Sequence, residues 1–160
     1  MLALIATDGS DASLAAARWC DDHFATETRY TIASVAPLPD DPMADAGGIE
    51  GPTMSPALLD EEDRVLLERA AIATATTAQQ LAPRAVDERV VRGDAGEALC
   101  ALADDLDADV VVVGSHQRGA LTRVFLGSVS DYVVHHSKRP IVVVPLVHHD
   151  DTPDEDHDHD

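Results

Sequence analysis

Three segments of the chain carry residue types suited to holding a small ligand that bears a phosphate or a sugar. They are Thr7–Ser10, Gly114–Gly119 and Leu126–Ser130. Glycine lets the backbone approach an anion closely, and the free N–H groups at the start of a helix donate hydrogen bonds to that anion. Asp8 can accept a hydrogen bond from a sugar hydroxyl or help to hold a metal ion. These residue types indicate a nucleotide or phosphate site.

The third segment is the best candidate for contact with phosphate. Gly127, Ser128 and Val129 lie near the start of a predicted helix, where N–H groups lack acceptors, and the Ser128 and Ser130 hydroxyls are further donors. A purely structural interpretation stays open. In that interpretation Gly114 only ends a strand, Gly127 allows helices to pack closely, and Asp8 is a helix cap.

Two other phosphate-binding motifs are not supported by these segments. Gly114 and Gly119 have the glycine spacing of a P-loop, but Ala120 and Leu121 stand where that motif has lysine and serine or threonine. Thr7–Ser10 follows the first predicted strand but lacks the GxGxxG of a Rossmann dinucleotide site. The site must therefore hold its ligand in another way.

The candidate segments follow predicted strands, and helices separate those strands. Short apolar runs indicate five strands, at Leu2–Ala6, Tyr30–Val35, Val86–Arg92, Asp109–Gly114 and Pro140–Pro145. Helical spacing of apolar residues between them gives the order βαβαβαβαβ. This alternation predicts an α/β fold with a doubly wound, five-stranded parallel sheet and helices on both faces. Ligands of such sheets bind outside the carboxyl ends of the strands, where the candidate segments lie.

The charge of the chain argues against a nucleic-acid partner. The formal net charge is −19, from 30 acidic and 11 basic residues, and aromatic residues make up only 3%. An acidic surface repels nucleic-acid phosphates, and a chain with few aromatic rings offers few platforms for stacking bases.

The sequence also predicts a cytoplasmic protein without a membrane partner. No apolar run approaches the length needed to span a bilayer, and the apolar start of the chain has no basic flank. Cys20 and Cys100 lie far apart without a CxxC motif, which is typical of reduced, buried thiols.

Both ends of the chain resemble one known family. Val110–Pro145, with the run GSHQRGALTRVFLGSVSDYVVHHSKRPIVVVP from Gly114 onward, is similar to the C-terminal signature of universal stress proteins. Leu4–Ser13 resembles the first strand and turn of that family. The resemblance implies a flavodoxin-like sheet, similar to that of the adenine nucleotide alpha hydrolases, with the strand order 3-2-1-4-5. It also implies one domain over residues 1–147.

The resemblance extends to a motif of the ATP-binding branch of the family, G-x2-G-x9-G-[ST]. Gly114 and the pair Gly127-Ser128 have the required spacing, but Gln117 replaces the middle glycine. The resemblance implies ATP as the ligand, with Mg²⁺ as a candidate accompanying ion. The implied nucleotide-binding residues are Thr7, Asp8, Val35, Val113, Gly114, Gln117, Arg118, Gly127, Ser128 and Val129.

Gln117 and Arg118 leave two alternatives open. If the backbone at position 117 needs a positive φ, Gln117 strains or changes the loop, and the chain is then a nucleotide-free interaction dimer of the same family. Arg118 either offsets repulsion between the phosphates and the acidic protein or pairs with nearby acids. We expect ATP binding, because two of the three motif glycines are retained.

A homodimer is the expected assembly. Pro140–Pro145 is an apolar edge strand in the implied strand order, and an apolar edge needs to be covered. Pairing with the same strand of a second copy would cover it, in agreement with the dimer that the resemblance implies.

The last segment, residues 148–160, is predicted to be a disordered acidic tail of histidine and aspartate. Binding of Zn, Ni or Cu by its histidines is a less favoured alternative, because no rigid ligand geometry is implied. The expected function is that of a stress-response sensor or regulator that binds ATP. We assign no catalytic residue, because the chain has neither a P-loop lysine nor a GxSxG turn, and any ATP hydrolysis should be slow.

Overall fold

A computed structural model describes residues 1–39, 56–116 and 126–146 of the chain. Strands and helices alternate along it as the sequence predicts. The strands are β1 (Leu2–Ala6), β2 (Arg29–Ala36), β3 (Val86–Arg92), β4 (Val110–His116) and β5 (Ile141–Leu146). The helices are α1 (Asp11–His23), α2 (Pro56–Ala78), α3 (Ala95–Asp105) and α4 (Ser128–His136), with a short 3-10 turn at Gln79–Leu81.

The strands form one sheet in the order β3-β2-β1-β4-β5, and every pair is parallel. Ile5 of the central strand β1 pairs with Ile32 of β2 on one side and with Val112 of β4 on the other. This arrangement confirms the predicted fold class and strand order. The chain places β2 and then β3 on one side of β1, and crosses to the other side for β4 and β5. This switch in direction opens a crevice at the carboxyl ends of β1 and β4.

The helices cover both faces of the sheet, and side chains alternate between two hydrophobic cores. Ile5 and Val112 belong to the core beneath α1 and the 3-10 turn, whereas Leu4 and Val111 belong to the core beneath α3 and α4. Successive residues of a strand face opposite sides, so a strand buried on both sides must be apolar throughout. This requirement explains the run of valines in β4.

Local capping fixes where the helices begin. Ser10 caps α1 by accepting a hydrogen bond from the Ser13 N–H, and Asp94 caps α3. The apolar residues of the last helix recur at helical spacing over residues 125–136 of the sequence, which predicts an earlier start than the structure has. The helix begins at Ser128 with Gly127 as its N-cap, so the predicted phosphate contacts lie in its first turn.

Two predicted regions fall largely or wholly outside the described residues. The tail at 148–160 is not described. The segment Pro37–Pro56 is rich in proline, glycine and aspartate, which predicts a long loop, and the structure describes only its two ends. Among the described helices, none is both long and apolar enough to cross a bilayer.

Helices α3 and α4 pack closely through one glycine. A Cβ atom added to Gly96 would lie 2.8 Å from the Tyr132 Cβ and 2.5 Å from its Cγ, closer than real side chains approach. Gly96 itself is buried. Because the first turns of these two helices both line the cavity described below, this contact sets the width of the cavity on that side.

We expect Gly96→Ala to lower the free energy of unfolding by about 1–3 kcal/mol, since the added methyl group overpacks the contact with Tyr132. In a Tyr132→Ala background the same substitution should be neutral or slightly stabilising, because alanine favours helix more than glycine does. Urea unfolding of the wild type, both single variants and the double variant measures this coupling. Equal effects of Gly96→Ala in both backgrounds would contradict the packing role.

Candidate functional site

A cavity of about 240 Å³ lies at the carboxyl edge of the sheet, between the ends of β1, β2 and β4 and the first turns of α3 and α4. Eight predicted site residues line it, namely Thr7, Asp8, Val35, Val113, Gly114, Gly127, Ser128 and Val129. The other two, Gln117 and Arg118, lie outside the described residues. Residues from four separate segments are thus brought together, as the parallel topology requires.

Thr7 uses its hydroxyl group inside the protein. The hydroxyl donates to Ser13 Oγ at 3.0 Å, lies 2.7 Å from Thr77 Oγ1, and accepts the Gly9 N–H at 3.0 Å. These bonds join the end of β1 to α1, to α2 and to the turn that follows β1. Thr7 therefore positions the cavity wall, and its hydroxyl already has three hydrogen-bond partners within the protein.

Asp8 lies in the turn between β1 and α1. Its Oδ1 accepts the Ser10 N–H at 2.9 Å, and Gly9 between them has a φ of 78°, a conformation that glycine adopts without strain. Burial alone would raise the pKa of Asp8, but hydrogen bonds from Ser10 and Ser13 together hold that pKa below its ordinary value. The carboxylate is therefore ionised at neutral pH and accepts hydrogen bonds only.

Gly114 is required by packing against α1. A Cβ atom at this position would lie 2.5 Å from the Ala12 carbonyl carbon and 2.9 Å from the Ser13 nitrogen. The strand also continues past Gly114 to His116, so the interpretation that Gly114 only ends a strand is wrong. The glycine allows the backbone of β4 to lie against the first turn of α1.

Gly127 has no comparable structural reason to be glycine. An added Cβ atom would meet nothing within 4 Å among the described residues, and the φ of −65° is accessible to any residue. The interpretation that Gly127 allows helices to pack closely is therefore not supported. The first N–H groups of α4 have no acceptor within the helix, and Gly127, Ser128 and Val129 line the cavity beside them.

Eight wall residues of the cavity were not expected from the sequence to contact the nucleotide, namely Ala6, Ser10, Ser13, Ala33, Ser34, Ala95, Leu99 and Ser115. Ser130, expected as a further phosphate donor, lines the cavity too. The Ser130 hydroxyl donates to the Gly114 carbonyl oxygen at 2.9 Å, which ties α4 to β4. Ser115 is 1% exposed, and its Oγ has no hydrogen-bond partner among the described residues. A serine that follows four valines in a buried strand is the signal that could have identified Ser115.

The cavity holds few charges. Asp8 is the only ionisable side chain among the described residues that line it, and the other polar groups are hydroxyls and backbone amides. The described residues contain no group of three or more side chains that could hold a metal ion. The walls combine small apolar side chains with neutral hydrogen-bond donors, which suits an organic ligand that bears both apolar and anionic parts.

Comparison with known proteins identifies the family. The sequence matches the profile of the Universal stress protein family over residues 3–145. The chain belongs to this family. Among curated members, the universal stress protein Slr1101 of Synechocystis is 38% identical over 55 residues, which are 34% of this chain and 51% of that protein. The match thus spans about half the length of this relative.

Solved structures of universal stress proteins share the fold. The Methanocaldococcus jannaschii protein MJ0577 superposes with a TM-score of 0.70 at 21% identity, covering 92% of this chain and 96% of that one. A universal stress protein solved in complex with cAMP has a TM-score of 0.55 at 26% identity, covering 91% of this chain and 96% of that one.

The hydroxyl network around Thr7 should contribute to stability. Thr7→Val keeps the shape of the side chain but leaves the Gly9 N–H without its acceptor and removes the hydrogen bonds to the Ser13 and Thr77 hydroxyls, so we expect the free energy of unfolding to fall by about 1–3 kcal/mol. Thr26→Val, at an exposed position, is the control and should change it by less than about 0.5 kcal/mol. Urea unfolding measures both. Equal values for the two variants would show that the network adds nothing.

Proposed function

We propose that this universal stress protein binds an adenine nucleotide, with ATP as the expected ligand, and acts as a sensor or regulator in a stress response. The observation that carries the proposal is that eight of the predicted nucleotide-binding residues line one cavity, at the switch in strand order. The family member solved in complex with cAMP supports an adenine nucleotide as the class of ligand.

The walls of the cavity suggest how such a ligand would lie. Val35 and Val113 offer apolar surface for the adenine ring, and Asp8 offers an ionised acceptor for ribose hydroxyls. The phosphates would meet the first turn of α4 at Gly127 and Ser128, where unbonded N–H groups and the positive end of the helix dipole favour negative charge.

The overall charge of the chain makes the phosphates the costly part of the ligand. A net charge of −19 repels a triphosphate, and this repulsion weakens as salt screens it. Mg²⁺ bound to the nucleotide would lower the repulsion, which is the basis for expecting it as an accompanying ion. ATP binding should therefore be tighter with Mg²⁺ than without it, and tighter at moderate than at low ionic strength.

We assign no catalytic residue at the site. Asp8 is the only ionisable group that lines the described cavity, and its lowered pKa makes it a poor proton acceptor. Slow ATP hydrolysis is the most that this arrangement supports. Sensing through occupancy of the site, with a downstream partner reading the bound state, is the function that we favour.

Isothermal titration of the purified protein with ATP and Mg²⁺, at low and at high salt, tests the proposal. We expect saturable binding near one nucleotide per chain. Absence of binding under both conditions would favour the alternative, a nucleotide-free interaction dimer in which Gln117 marks the loss of the site.

Gly127→Val tests the placement of the phosphates in the same titration. An added Cβ atom at this position would meet no described residue within 4 Å, so we expect a change in unfolding free energy of no more than about 1 kcal/mol. We expect at least a tenfold loss of ATP affinity, because the side chain would occupy the space beside the first turn of α4. Ala71→Val, exposed on α2, is the control and should leave binding unchanged. If Gly127→Val leaves the ATP affinity unchanged, the phosphates do not lie beside the first turn of α4.

We further propose a homodimer formed through β5. The strand lies at the edge of the sheet, and Ile141, Val142 and Val143 are only partly buried by the chain itself. Edge strands with apolar side chains and free backbone groups pair readily with another copy. A dimer through this edge would leave the cavity, at the carboxyl ends of β1, β2 and β4, open to ligand.

Sedimentation equilibrium tests the dimer. We expect twice the chain mass of 17.0 kDa at micromolar concentration. Val142→Lys places a charge on the partly buried edge strand β5 and should shift the protein towards monomer. Val86→Lys makes the same change on β3, the opposite edge strand, where Val86 packs against the same core as Val142, and it should leave the dimer intact. A wild-type protein of monomer mass, or equal effects of the two lysines, would contradict an interface at β5.

A further inference from the structure

A second cavity, of about 440 Å³, adjoins the candidate nucleotide site. It shares four wall residues with the first cavity, Val35, Ala95, Ser128 and Val129. Its remaining walls are Pro37, Gly93, Asp94, Gly96 and Tyr132. The second cavity therefore extends the site past the first turns of α3 and α4, in the direction of the end of β3.

Asp94 gives the second cavity a carboxylate of its own. Its Oδ1 caps α3 by accepting the N–H groups of Gly96 at 3.0 Å and Glu97 at 3.1 Å. Its Oδ2 accepts no hydrogen bond from the described residues. Asp8 is placed similarly at the first cavity, because it too follows a strand and accepts a backbone N–H of the turn into the next helix. Each cavity thus has one carboxylate, at the end of a different strand.

Hydrogen-bond donors lie between the two carboxylates. Ser128 and Val129, in the first turn of α4, belong to the walls of both cavities, and Gly127 before them leaves open space. The buried Ser115 hydroxyl, which has no partner among the described residues, lines the first cavity beside them. Asp8 lines only the first cavity and Asp94 only the second, whereas the start of α4 at Ser128 and Val129 lines both.

We propose that the two cavities together bind a dinucleotide, that is, two nucleosides joined through a pyrophosphate. This inference rests on the proposed adenine-nucleotide site in the first cavity. Asp8 would accept from the hydroxyls of one ribose, the start of α4 would hold the pyrophosphate, and Asp94 would accept from the hydroxyls of the second ribose. Carboxylates recognise ribose diols, and helix N-termini recognise pyrophosphate, in other α/β folds.

The charge of Asp94 favours a second nucleoside over a longer phosphate chain. A triphosphate tail that extended into the second cavity would meet a carboxylate, and like charges at short range repel. Ribose hydroxyls in the same place would donate hydrogen bonds to it. Size agrees with this assignment, because the first cavity alone is smaller than the roughly 300–1,000 Å³ of ordinary ligand sites and the two together fall within that range.

The test compares a dinucleotide with its half. Diadenosine diphosphate and AMP are titrated separately into the full chain by calorimetry. We expect the dinucleotide to bind at least tenfold more tightly than AMP, because the second nucleoside is tethered beside its own subsite. Asp94→Asn keeps the cap of α3, since asparagine caps helices as well as aspartate does, but it removes the charge. We expect this variant to bind the dinucleotide about tenfold more weakly and AMP unchanged.

Asp22→Asn, which removes one exposed charge from α1, is the matched control and should change neither affinity. If AMP binds and the dinucleotide binds no more tightly than AMP, this inference is wrong, but the proposed function still stands. If Asp94→Asn lowers the affinities for AMP and for the dinucleotide equally, the inference is also wrong, because Asp94 would then act through the first cavity. If neither ligand nor ATP bound, the proposed function itself would fail, and the dinucleotide site with it.

Discussion

The close approach of β4 to the first turn of α1 at Gly114 is the constraint on which the rest of the site depends. Only a residue without a Cβ atom allows this approach, because the Ala12 carbonyl group and the Ser13 nitrogen occupy the space. The approach places Ser13 within hydrogen-bonding distance of Thr7, and Thr7 in turn contacts α2 through Thr77. One wall of the cavity is thus fixed by backbone packing and a buried hydroxyl network rather than by any ligand.

The polar groups of the cavity suit an acidic protein. A site that relied on lysine or arginine would need those cations to compete with the surrounding carboxylates of a chain with net charge −19. The described walls instead present serine hydroxyls and the start of α4, which carry no formal charge. Their strength comes from low exposure, as for Ser115, because hydrogen bonds and helix dipoles act more strongly where water is excluded. The single charge in the described walls, Asp8, accepts hydrogen bonds and has no role in neutralising phosphate.

Much of the fold could be predicted from the sequence, because buried parallel strands must be apolar on both faces and the valines of β4 satisfy this visibly. The site residues after β1 and β4 could be found because parallel strands end at one edge. The different roles of Gly114 and Gly127 could not be predicted, because a sequence does not show which atoms would surround a Cβ atom at these positions. Asp94, with Glu97 three residues later, can be recognised in the sequence as a cap of α3, but its place in a cavity depends on how α3 lies beside α4. That placement follows from Gly96 and Tyr132, a contact between residues far apart in the chain.

The structure therefore separates residues that hold the scaffold from residues that face open space. Gly96 and Gly114 are fixed by atoms of neighbouring elements, so a change at either position alters the packing of the fold. An added Cβ atom at Gly127 would meet no described residue, and Asp94 Oδ2 accepts no hydrogen bond from one, so we expect changes at these two positions to alter what the cleft can hold at little cost in stability. Ligand preference can then diverge among proteins that keep this sheet, since fold and site are under different physical constraints. In this chain, each of the two adjoining cavities has one carboxylate in its wall, and the start of α4 lines both, so the choice of ligand depends on residues that the packing of the sheet does not fix.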